Sequence, residues 1–97
     1  MKKVTALFHR ASNGRSPALE WLRALTKEDK RKIGEELMVA EFGWPLGMPV
    51  CRAIAGTPLH EIRVNLDNGR IARVLLVVSG SHMCVLHGFI KKQQKTP

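Results

Sequence analysis

The sequence has 97 residues, room for one domain (1–97) with a single modest core. Hydrophobic residues at 44% and charged residues at 25% are in the range of a soluble globular domain. Sixteen Lys and Arg against eight Asp and Glu leave a formal charge of +8, a field that favours polyanions. Nucleic acid is the simplest of these, although ribosomal proteins and membrane-surface binders share the same balance.

The opening MKKVTALFHR begins like a signal peptide, but its apolar run stops at His9 and Arg10 after five residues. That is too short for a signal core, and no stretch approaches transmembrane length. KKVTALFH is instead rich in β-formers and predicts a first strand, broken by NGRSP. Ser16 followed by Pro17 predicts a helix start, because the serine caps free amides and the proline loses no hydrogen bond there. Leu19, Trp21, Leu22 and Leu25 give this short helix an apolar side. Thr26 offers a second cap, with Asp29 near the positive end of the helix that follows. The segment 27–42 places Ile33, Leu37 and Ala40 at helical spacing, and FGWPLGMP ends it.

From LHEIRVNL onward the period is two. Ile62, Val64 and Leu66 share one side; Glu61, Arg63 and Asn65 share the other. DNG signals a hairpin turn. RIARVLLVV reads as a central strand buried on both faces, interrupted by Arg73. SGS turns again, and HMCVLHGFI leads into the closing lysines. The order β-α-α-β-β-β predicts an α+β domain, with two helices on one face of a twisted, mostly antiparallel four-stranded sheet.

Chemical signals are sparse. His82, Cys84 and His87 are the loosest of metal combinations, with Cys84 and His87 expected on opposite faces of a strand, so no metal or cofactor is predicted. Cys51 and Cys84 form no CxxC pair and read as thiols of a reducing cytoplasm. No nucleophile motif or phosphate-binding loop is present. With three Phe, two Trp and no Tyr, a sheet that stacks bases on rings is not expected.

The strand arginines are the stronger signal. If DNG closes a three-residue loop, Leu66 pairs with Arg70 and Arg63 falls opposite Arg73. Like charges directly across a ladder repel. Such a pair needs an anion, part of which Glu61 can supply and the rest a phosphate backbone. The bland alternative is that each arginine snorkels from a half-exposed face. Lys91 continues the face of His87 and Phe89, while Lys92 continues that of Cys84 and Leu86, so one lysine is expected over each sheet face.

The stretch from LHEIRVNL through GRIARVLLVV to LHGFIKKQQKTP, with SPALEWLRAL upstream, resembles the RelE/ParE toxin superfamily. The likeness covers essentially the whole chain and is greatest to the HigB-type branch, often described as phage-derived host-killing proteins. Relatives commonly carry a further helix beyond the K-T-P, where this sequence ends at Pro97. The resemblance implies the toxin of a type II toxin–antitoxin system: a metal-independent, ribosome-dependent mRNA endonuclease that inhibits translation in the cytoplasm. Its implied partners are mRNA on the ribosome and a cognate helix-turn-helix antitoxin (HigA-like) in a hetero-oligomer, with no membrane. The family's motif positions fall on Arg63, Arg73, Lys91 and Lys92 as catalytic candidates, with His87 as a competitor for proton transfer. Arg70 and Lys95 are the RNA- or ribosome-binding candidates. A gyrase-targeting ParE-type toxin without nuclease activity, or a noncatalytic basic nucleic-acid-binding module, would share much of this composition.

Overall fold

The computed structural model describes residues 1–92. Both helix starts form as the caps predict. The Ser16 hydroxyl accepts the Leu19 amide at 3.3 Å and opens α1 (Pro17–Arg23). The Thr26 hydroxyl accepts the Asp29 amide at 3.2 Å and opens α2 (Lys27–Gly43). On α2, Ile33, Leu37 and Ala40 are buried, as their spacing requires, and Asp29 is buried with them.

The described residues form five strands: β1 (Thr5–Phe8), β2 (Cys51–Ala53), β3 (Leu59–Asn65), β4 (Arg70–Ser79) and β5 (His82–Lys92). They make one sheet in the order β1-β5-β4-β3-β2, with β1 parallel to β5 and the other neighbours antiparallel. The α+β class holds, but the expected four-stranded sheet has a fifth member. Strand β2 is only three residues, CRA, too short to show a period, and it exists because β3 offers it an edge. Strand β4 is central, as its apolar run suggests.

Both helices cover the face that carries Ile62, Val64, Ala72, Val74, Leu76, Met83 and Val85. Six side chains of this core (Ile33 of α2 with Ile62, Val74, Leu76, Met83 and Val85 of the sheet) are almost fully buried, each removal from water contributing about 1.5–3 kcal/mol. Gly88 sits on this face directly beneath the Trp21 indole of α1, and a Cβ added there would overlap the ring. The glycine in HGF therefore marks a close approach of helix to strand.

Two local features bear on the expected side-chain directions and roles. Leu75 pairs with His87 and Leu76 with Val85, which leaves Leu86 as the extra residue of a β-bulge. The alternation on β5 resets there, so Cys84 and His87 occupy the same face rather than opposite ones. Among the described residues, no group of three or more His, Cys, Asp or Glu is arranged to hold a metal. No helix of the described residues is long and apolar enough to cross a membrane.

Arg70, read from the sequence as an RNA- or ribosome-binding candidate, provides the second. It grips Asp29 of α2 through two guanidinium nitrogens at 2.9 and 3.1 Å, and its Nε donates to the Asp67 carbonyl at 3.0 Å. Its guanidinium is committed to fastening α2 to the start of β4. The Arg70 hydrogen bonds hold the Asp29 carboxyl below the ordinary carboxylate range, outweighing the opposite push of burial. The unfolded chain thus binds the proton more readily. The stabilisation is complete above the ordinary Asp range near pH ~4 and is lost as pH falls through the lowered folded value. Asp29→Asn is expected to lower stability at neutral pH and flatten the acid limb of urea-unfolding midpoints. An acid limb as steep as the parent's would show that this pair does not supply it.

Candidate nucleic-acid interface on the outer sheet face

The face turned away from the helices is built by register. Leu66 donates its amide to the Arg70 carbonyl at 2.9 Å, closing the DNG turn with Asn68 at φ 63° and Gly69 at φ 70°. From that closure Arg63 pairs directly with Arg73, and Arg73 in turn with Phe89 of β5. The two arginines therefore share one face, in a row that continues to a partly exposed aromatic ring.

On one side of this row lies Arg52–Glu61–Leu75–His87, and on the other Asn65–Ile71–Lys91. His87 and Lys91 thus flank the Arg73–Phe89 position on β5, each diagonal to Arg73 at a backbone separation of about 7–8 Å. They stand about 13 Å apart along the strand, with the arginines between them. Both side chains are exposed.

Glu61 is the electrostatic centre of the face. It is 5% exposed, and its Oε1 accepts from Arg73 Nη1 at 2.6 Å and lies 3.4 Å from Arg52 Nη2. Glu61 contacts Arg52 and Arg73, while Arg63 and Lys91 of the same face have no ion pair among the described residues, and the face remains strongly positive. The Nε atoms of Arg63 and Arg73 are sealed from solvent and have no hydrogen-bond partner within the protein. A buried donor left unsatisfied costs about 1–3 kcal/mol, so holding the two arginines side by side carries a stability penalty. Arg63 also borders a concavity of about 130 Å³ with Pro49, Val50 and Asn65, where its amide donates to the Val50 carbonyl at 2.8 Å.

The predicted residues divide cleanly. Arg63, Arg73, His87 and Lys91 come together on the outer face. Lys92 pairs with Arg70 and sits on the helix-side register, away from them. Arg70 lies on that same side, engaged with Asp29. Lys95 lies outside the described residues. Arg52, absent from the sequence-based candidates, joins through Glu61. Its only signal would have been strand β2, which three residues do not reveal.

These residues define a small α+β domain with a two-helix face and an opposing cationic sheet face, an architecture suited to a polyanionic target. The model for the family described as phage-derived protein Gp49-like (DUF891) matches residues 20–97. The chain belongs to that family, one of RelE/HigB-like toxins. No curated protein and no solved structure matches it.

Proposed function

We propose that this protein is the toxin of a type II toxin–antitoxin system and acts as a ribosome-dependent mRNA endonuclease in the cytoplasm. It would be held inactive by a helix-turn-helix antitoxin of the HigA-like, HigB-neutralising kind. The observation that carries the reading is the cross-strand Arg63–Arg73 pair, flanked on one face by His87 and Lys91. The likeness to toxins supports the same conclusion.

In this reading the RNA 2′-oxygen attacks the adjacent phosphorus while the bond to the 5′-oxygen breaks, leaving a 2′,3′-cyclic phosphate and a 5′-hydroxyl. One flanking group takes the 2′-hydroxyl proton, and another donates a proton to the departing oxygen. These events occur on opposite sides of phosphorus, which matches His87 and Lys91 standing on opposite sides of Arg73. Arg63 and Arg73 supply charge stabilisation to the phosphoryl oxygens, with the planar fork that suits them. Glu61 fixes one nitrogen of Arg73 and so orients the rest. With this modest acid–base equipment, alignment of the mRNA by the ribosome supplies much of the rate. Lys95 is proposed to contact RNA or ribosome. On this reading Lys92 and Arg70, on the helix-side register, take no part in the chemistry.

The test is incubation of purified protein with mRNA, with and without translating ribosomes. Cleavage in the ribosome-containing reaction alone, leaving cyclic or 3′-phosphate ends, is the expected result, along with growth arrest relieved by a co-expressed antitoxin. Intact mRNA in both reactions together with inhibited DNA gyrase would replace this reading with the gyrase-directed one.

A further inference from the structure

A second basic feature lies away from the Arg63–Arg73 row. The chain leaves β1 beside β5, where the His9 amide donates to the Val85 carbonyl at 2.9 Å, and returns as α1, packed against β5. Strand β1 pairs with β5 only over His82–Val85, so the loop between β1 and α1 flanks the edge of β5 beyond that pairing. The loop is internally braced. Ala11 donates to Arg15 at 2.7 Å, Gly14 to Ala11 at 2.9 Å, and the Arg15 amide to Asn13 Oδ1 at 3.0 Å.

Loop and helix together enclose a concavity of about 210 Å³ bordered by Arg10, Arg15, Glu20 and Arg23. Arg15 is neutralised by Glu20 through two hydrogen bonds at 2.7 and 3.1 Å. Arg10 is held by a different bond, from its Nη1 to the Gly14 carbonyl at 3.0 Å, which orients the guanidinium without cancelling its charge. No carboxylate pairs with Arg10 or Arg23 among the described residues. The pocket therefore sets three guanidinium groups against one carboxylate, Glu20, which bonds Arg15 and whose field also reaches Arg23, around a space open to solvent.

We infer that this pocket is a second phosphodiester-binding site, which takes the backbone of structured RNA at the β5 edge while the outer face engages the strand to be cut. The chemistry is that of guanidinium forks meeting phosphate oxygens. A braced loop presents them with little ordering cost on binding. The inference rests on the proposed function only for the choice of RNA as the polyanion. A site of this kind positions, carries no sequence preference, and adds to affinity in a salt-dependent manner.

The test is binding of a short RNA duplex across a salt series. The Arg10→Gln/Arg23→Gln protein should bind about tenfold more weakly at low salt, with a log–log salt slope shallower by about 2, one for each phosphate no longer neutralised. Arg23→Gln alone breaks no internal hydrogen bond of the described residues and should reduce the slope by about 1. Unchanged affinity and slope in both variants would overturn the inference. So would an equal loss of binding to poly-glutamate, or saturation of the pocket by inorganic phosphate with no response to the duplex. Loss of duplex binding in a protein that cleaves no mRNA would remove the nuclease reading and leave this site standing. Ribosome-dependent cleavage with undiminished duplex binding by the variants would do the reverse.

Discussion

Arg73→Ala is expected to lower ribosome-dependent cleavage by about a hundredfold or more at saturating ribosome, by analogy with the loss of one preorganised donor to a developing oxyanion. Arg73 is the arginine that combines the most constraints. It sits on the central strand, faces Arg63, and is held by the buried Glu61 carboxylate at 2.6 Å. Arg73→Lys should recover little, because a single ammonium replaces neither the fork nor the simultaneous grip on Glu61 and a phosphate. Lys95→Ala, beyond the described residues, should weaken association modestly and reduce the salt dependence, as removing one cation from a phosphate does. Measuring folded variants at saturating ribosome separates these effects, since weakened binding is recovered there and impaired chemistry is not. Equal losses from Arg73→Ala and Lys95→Ala, both recovered by more ribosome, would make the noncatalytic binding module the better reading.

Gly88→Ala is expected to give the largest loss of stability from a single added methyl group, about 1–3 kcal/mol. The new Cβ would enter the space of the Trp21 indole, a rigid ring that anchors α1 to β5, so relief requires the helix to shift. In a domain of this size that corresponds to a fall in melting temperature of roughly 4–8 °C per kcal/mol. Pairing the change with Trp21→Leu tests the mechanism. The double variant should lose less than the sum of the single losses, because the smaller side chain vacates the contested volume. A Gly88→Ala protein that melts with the parent would show that α1 accommodates the change freely. The same substitution lies between His87 and Phe89, so cleavage by a folded variant reports how far the backbone of β5 sets the outer face.

Much of the fold was legible because local rules act over a few residues. Ser16 and Thr26 cap helices wherever free amides follow them, and Ile33, Leu37 and Ala40 declare a buried stripe by spacing alone. The Arg63–Arg73 pairing was legible for the same reason. A turn of known length counts the register backward along both strands, and the Leu66–Arg70 bond shows that count to be right. The direction of Cys84 was not legible. Leu86 carries no mark of a bulge, and one unpaired residue reverses every face before it.

By itself, the sequence determined the charge, the helix starts, the α+β class and the cross-strand arginines, all consequences of composition and of contacts close along the chain. Only the tertiary structure decided that Arg70 belongs to Asp29, forty-one residues away, and that Lys92 follows it to the helix side. The same holds for Arg52, which reaches the outer face through a strand that exists only as an edge to β3. The physical reason is that a guanidinium commits to whichever carboxylate the completed fold brings near. Spacing along the chain cannot tell a cation paired at the core's margin from one left free to meet a phosphate.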